Sequence, residues 1–180
     1  MGDWGLGSGN TRVLVAGIGN IFLGDDGFGV EVARQLAAEP LGDDVSVADF
    51  GIRGVHLAYE LSDGGYDGVI LVDAMPRGGD PGTLYAIEPD RDSHAGVGDD
   101  GRNGVVDAHS LTPAAVLAWL HRIGGHCGRI VIVGCEPASV DESIGLSPPV
   151  AASVDGAVQM VRDLVAEMRG EAMRGDASCA

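Results

Sequence analysis

The sequence predicts one three-layer α/β domain with a mainly parallel sheet. Short apolar runs alternate along the chain with segments of helical spacing. Most links between them are too long for hairpins. One run, Val69-Ile70-Leu71-Val72, is apolar without alternation, as expected of a central strand covered on both faces. With 180 residues, 45% of them hydrophobic, the chain can bury one full core, and nothing marks the opening of a second domain. The domain is expected over residues 12–168, with 1–11 and 169–180 as tails.

The chain is organised around Val13 to Leu36. Val13-Leu14-Val15-Ala16 reads as a buried strand that enters a glycine turn, Gly17-Ile18-Gly19-Asn20. Asp25-Asp26-Gly27 follows, then a helical spacing through Val30, Ala33 and Leu36. Both acids are expected in the first turn of that helix, where the macrodipole favours negative charge. The stretch is no dinucleotide fingerprint, because Phe22 stands where G-x-G-x-x-G needs its third small residue.

Val45-Ser46-Val47-Ala48-Asp49 reads as a second strand, and the turn Gly51-Ile52-Arg53-Gly54 leads to a helical segment, Val55 to Leu61. The Val69 strand ends in Asp73. Pro76 to Gly82 is a turn-rich link to a strand at Thr83–Ile87. Glu88 to Asp107 is dense in Asp and Gly and reads as a loop bordering the site or a solvated insertion. It is not a calcium loop, because Gly101 and Ser110 remove oxygen ligands at two positions of an Asp99–Ser110 frame. Thr112-Pro113 starts a helix that ends near Gly124. Arg129 to Cys135 is a strand closed by Glu136-Pro137. Gly145-Leu146-Ser147-Pro148-Pro149 opens the last helix, with Val150, Val154, Val158, Val161 and Val165 on one face.

Composition excludes several classes. Eleven basic against 27 acidic residues give a formal charge of −16, which argues against nucleic-acid binding. No apolar run reaches a membrane span and no secretory signal is visible, so neither insertion nor export is expected. Cys127, Cys135 and Cys179 lack C-x-x-C spacing and fit a reducing cytoplasm. There is no G-x-S-x-G elbow, H-E-x-x-H helix or P-loop. Cys135 reads as a small buried residue.

What remains is carboxylate chemistry. Asp26 lies beyond the first predicted strand, Asp49 after the second and Asp73 after the third. Parallel strands would bring all three to one sheet edge, and His109, in a loop before a helix, can face that edge. Two carboxylates and an imidazole with open positions suit a divalent ion such as Ni, Zn, Fe or Mn. Asp73 follows four large apolar residues, so it lies near the core and needs a partner. Plainer roles are open to the other three: a helix cap for Asp26, a turn for Asp49 and a surface loop for His109.

The ordered set Gly17-Ile18-Gly19-Asn20, Asp25-Asp26-Gly27-Phe28-Gly29-Val30, Asp73-Ala74, Pro81-Gly82-Thr83 and Gly145-Leu146-Ser147-Pro148 resembles the hydrogenase maturation proteases. These endopeptidases process the large subunit of nickel–iron (NiFe) hydrogenases. The resemblance runs from about Arg12 to Met168. It implies a twisted central sheet flanked by helices, and removal of a C-terminal peptide from the large-subunit precursor after nickel insertion. It places the family's metal ligands on Asp26, Asp73 and His109, and carries Asp49 over as a further functional residue. The metal it implies is nickel carried by the precursor; another divalent ion such as zinc is the alternative.

One segment departs from the family pattern. Asp-Gly-Gly-Thr is common after the second strand, whereas this chain has Asp49-Phe50-Gly51-Ile52-Arg53-Gly54, without the threonine. Arg53 is therefore a candidate for altering which large subunit is recognised. Two mechanisms stay open: an ion that activates water, or precursor nickel docked on Asp26, Asp73 and His109 while a carboxylate such as Asp49 assists water. A non-catalytic nickel chaperone is the rival from another class; a phosphorylase-like or peptidyl-tRNA-hydrolase-like domain is a more distant one.

Overall fold

The computed structural model describes residues 11–89, 113–122 and 128–176. His109 and most of the acidic Gly-rich loop lie outside the described residues. The chain runs β1 (Val13–Ile18), a 3-10 turn (Gly24–Gly27), α1 (Phe28–Ala38), β2 (Val45–Gly51), α2 (Gly54–Asp63), β3 (Gly68–Ala74), β4 (Leu84–Ile87), α3 (Pro113–Arg122), β5 (Arg129–Cys135) and α4 (Pro148–Asp176).

These strands form one sheet in the order β2-β1-β3-β5-β4. The β1–β2, β1–β3 and β3–β5 pairs are parallel, and β4 closes the edge antiparallel to β5. The sheet is thus mixed and mostly parallel. The link from β3 to β4 needs no crossover helix because β4 runs against its neighbour.

Alternation along the strands builds the three layers. Val13, Val15, Ile70, Val72, Val131 and Val133 face a cluster with Phe28, Val32 and Leu36 of α1 and Val154 and Val161 of α4. The intervening residues, Leu14, Ala16, Val69 and Leu71, face the opposite cluster with Leu57 and Leu61 of α2 and Val116 and Leu120 of α3. β1 and the first six residues of β3 are buried on both faces, which explains their unbroken apolar character.

α1 keeps Phe28, Val32, Ala33 and Leu36 on its buried stripe and stops before Glu39-Pro40, where proline disfavours helix at the residue before it. In α4, Val150, Val154, Ala157, Val161 and Val165 are buried, and Val158 sits at the margin in place of the expected core position. Burying those four valines contributes roughly 6 kcal/mol before entropic costs. Beyond Met168 the helix continues to Asp176, and Arg169 Nε pairs with Asp44 Oδ2 at 2.9 Å.

α1 lies unusually close to the sheet. A side chain on Gly29 would meet Val72 O at 2.1 Å and Ile18 O at 2.4 Å, and one on Gly17 would meet Gly29 O at 2.2 Å. The close helix–strand contact that Phe22 could not supply is therefore made by Gly29, seven residues later.

Candidate functional site

β1 is flanked by β2 on one side and β3 on the other, so the strand order reverses beside it. In parallel sheets this reversal opens a crevice at the carboxyl ends of the strands. Register fixes which residues border it. Gly17 pairs with Asp49 of β2 and with Val72 of β3, one residue before Asp73.

Asp26 reaches the crevice through the turn after β1. Gly19 has φ of 127°, and a Cβ there would lie 1.8 Å from Asp26 O, so this crossing requires glycine. The Asn20 N–H donates to Asp26 Oδ2 at 2.7 Å, while Asn20 Oδ1 accepts from the Phe22 N–H at 3.0 Å. One carboxylate oxygen is thereby oriented; the other has no hydrogen-bond partner among the described residues. The sequence expectation needs one correction here. Asp25 and Asp26 occupy a 3-10 turn, and α1 begins only at Phe28 with Glu31 as its first-turn acid. The tight Gly19 crossing leaves no room to start the helix earlier.

Asp73 is 5% exposed near the end of β3. Burial, and then the charge of Asp26, push its carboxyl well above the ordinary carboxylate range, against a hydrogen bond from the Ala74 N–H. Two acids are thus brought together with no ion-pair partner among the described residues. Such a pair suits a cation, which would offset both burial and repulsion. No group of three His, Cys, Asp or Glu able to hold a metal occurs among the described residues. The third ligand implied by the resemblance, His109, lies outside them.

Asp49 shares the edge. Val47 packs toward α1 and α4 and Phe50 toward α2 and α3, and the β1–β2 register shifts between them, opposite Gly17 and Ile18. Asp73 projects on the side of Val69 and Leu71. Asp49 is exposed, and β1 separates its strand from that of Asp73. Arg53 is also placed. Its guanidinium donates to the carbonyls of Asp49 and Phe50, bracing the β2–α2 turn.

Two supporting carboxylates carried no functional reading in the sequence. Asp25, 1% exposed, accepts hydrogen bonds from Ala138 N–H at 2.7 Å, Ser139 N–H at 3.1 Å, Ser147 N–H at 2.6 Å and Ser147 O–H at 2.9 Å. Burial raises its pKa, but these donors outweigh burial and hold it below the ordinary value. Glu136 accepts from Arg77 N–H at 2.8 Å, Gly78 N–H at 3.0 Å and Tyr85 O–H at 2.8 Å, and so latches the loop that follows Asp73. The available signals were the doubled acid at 25–26 and an acid directly after the apolar strand β5. Cys135 is fully buried and hydrogen-bonded with Ser153, and burial raises its thiol pKa; it is a packing residue.

The family model for hydrogenase maturation protease, HycI, matches residues 30–164. A putative hydrogenase maturation protease of Methanocaldococcus jannaschii is 34% identical over 152 residues, 83% of this chain and 93% of that protein. The hydrogenase 2 maturation protease of Escherichia coli K12 is 30% identical over 168 residues, 92% and 98% of the two chains. The structure of the hydrogenase maturating endopeptidase HybD from Escherichia coli superposes with a TM-score of 0.71 at 29% identity, covering 87% and 93% of the two chains. The NiFe hydrogenase maturation protease HycI from Thermococcus kodakarensis gives 0.64 at 27% identity, with 91% and 95% covered. With a matching fold, a crevice of paired acids and a family model spanning most of its length, the chain belongs to the HycI family of hydrogenase maturation proteases.

Proposed function

We propose that this protease removes a C-terminal peptide from the nickel-loaded large-subunit precursor of a NiFe hydrogenase in the cytoplasm, and that Asp26, Asp73 and His109 receive the nickel. The observation that carries the reading is the buried Asp73 carboxyl beside Asp26, two acids without an ion-pair partner among the described residues. Nickel belongs to the substrate here, and its docking would hold the scissile bond at the sheet edge.

Asp49 is assigned the proton transfer. It stands exposed across the strand ends, with its backbone carbonyl held by Arg53. As water adds to the scissile carbonyl carbon, Asp49 takes a water proton and returns it to the departing amine as the C–N bond breaks. Because the Asp26–Asp73 pair has no ion-pair partner among the described residues, a precursor lacking nickel would meet a repulsive site. Cleavage thereby reports nickel loading.

The test is incubation with nickel-loaded and nickel-free forms of a verified cognate precursor, followed by mass spectrometry of the released peptide. Release from the loaded form alone is expected. Nickel-dependent binding with no release would instead identify a chaperone. Cleavage that needs added zinc and ignores precursor nickel would identify a resident-metal peptidase.

A further inference from the structure

Large apolar side chains on the surface are unevenly placed. Of the six exposed large apolar side chains among the described residues, Ile52 and Tyr59 lie on the β2–α2 turn and on α2, whereas Ile21, Phe22, Val140 and Ile144, 43%, 63%, 49% and 86% exposed, sit on two neighbouring loops. Those loops are zipped together. Leu23 and Ser143 form a parallel bridge, Ser143 N–H donates to Phe22 O at 3.0 Å, and Gly24 N–H donates to Ser143 O at 3.0 Å. The buried Asp25 carboxylate ties the far loop at both ends, through Ala138 and Ser139 and through Ser147. The exposed side chains are therefore displayed from a fixed platform.

The platform adjoins the candidate site. Ile21 and Phe22 follow Asn20, whose N–H orients Asp26. Ile21 and Ile144 line a cleft of about 430 Å³ together with Leu146, Val154 and Gly27, the residue after Asp26, while Glu31, Arg34 and Gln35 of α1 make its polar side. Exposed clustered apolar residues beside a cleft mark an interaction surface. Asp141 and Glu142 are exposed on the same loop. A second copy of a chain with formal charge −16 would bring acid against acid at this rim, which disfavours self-association.

We propose that the paired loops 20–24 and 139–146 are the docking surface for an apolar segment of the large-subunit precursor, flanked by basic residues and adjoining the cleaved bond. The inference rests on the proposed function above. Apolar side chains of that segment enter the cleft between Ile21 and Ile144, and its basic residues meet Asp141 and Glu142. Fixed loops make the surface selective, because the segment adapts to the cleft and the cleft does not open for others.

The test compares Ile144→Ser, Phe22→Ser and the control Tyr59→Ser, whose exposed ring lies on α2 away from these loops. With nickel-loaded cognate precursor, the first two should raise KM about tenfold each and leave kcat within about twofold, while the control changes neither. Equal KM values in all three, with active wild-type protein, overturn the docking surface and leave the protease reading intact. Precursor binding by calorimetry keeps docking testable if the wild-type protein cuts nothing. Weaker binding by the two loop variants then supports the surface, and equal binding overturns it. A dimer that Ile144→Ser dissociates with KM unchanged assigns the surface to a second copy instead and also overturns the proposal.

Discussion

The carboxylate of Asp25 accepts both the N–H and the O–H of Ser147, at 2.6 and 2.9 Å, across 122 residues of chain. Two segments that stand far apart in sequence, Asp25-Asp26-Gly27 and Gly145-Leu146-Ser147-Pro148, are thereby one structural unit. Ser147 O accepts the Ala151 N–H at 2.8 Å and so opens α4, while the hydroxyl that would ordinarily cap the helix goes to Asp25. The neighbouring acids have divided roles: Asp25 secures the platform, and Asp26 faces the crevice.

That division predicts different outcomes for adjacent substitutions. Asp25→Asn should destabilise the protein by about 3 kcal/mol in urea unfolding, because an amide turns donors toward backbone N–H groups that need an acceptor. Asp26→Asn should change stability by less than about 1 kcal/mol, while peptide release falls by about a hundredfold or more. Equal stability losses in the two variants would contradict the division.

Asp73→Asn should stabilise the metal-free protein at pH 7.5 by about 1 kcal/mol while removing nickel-dependent cleavage. The buried carboxyl is disfavoured by burial and by Asp26, and a neutral amide of the same shape escapes both. Thermal melting beside the cleavage assay reads this trade of stability against function. A lower melting temperature would count against Asp73 as a strained site residue.

Glu136 governs an acid limb of stability. Burial raises its pKa, but donors from Arg77, Tyr85, Gly78 and Gly79 lower it further, so the folded value lies below the ordinary 4.5. A depressed folded pKa gives stability that is present above the ordinary value and lost as pH falls through the folded one. Glu136→Gln should therefore lower the denaturation midpoint at pH 6 and flatten its fall between pH 5 and pH 3. Parallel pH curves for variant and wild type would remove this role.

Arg53 is expected to act through Asp49. Arg53→Ala frees the carbonyls of Asp49 and Phe50 and should cost about 1 kcal/mol, with kcat lowered more than KM. Arg53→Lys should not rescue it, since one ammonium does not reproduce the fork that reaches both carbonyls. An increase in KM alone would return Arg53 to the substrate-recognition role expected from sequence.

His109→Ala should weaken nickel binding by the protein far more than His121→Ala, because only His109 belongs to the ligand set carried over from the family. Matching titration curves would reject His109 as the third ligand.

The alternation of apolar runs and helical spacings in the sequence by itself determined the α/β class, and acids at three strand ends marked one edge as the place for chemistry. These features are local: a strand buried on both faces must be apolar throughout, and an acid at its end must leave the core. Only the tertiary structure decided how the acids divide. The β2-β1-β3 order opened the crevice at Asp73 and put Asp49 on the far side of β1 from it. The tight crossing of Gly19 over Asp26 kept Asp25 and Asp26 in a turn ahead of the helix. Asp25 and Glu136 show the same limit. Each gathers backbone N–H groups from distant loops, and such donors look alike in every sequence until the fold brings them within hydrogen-bonding distance.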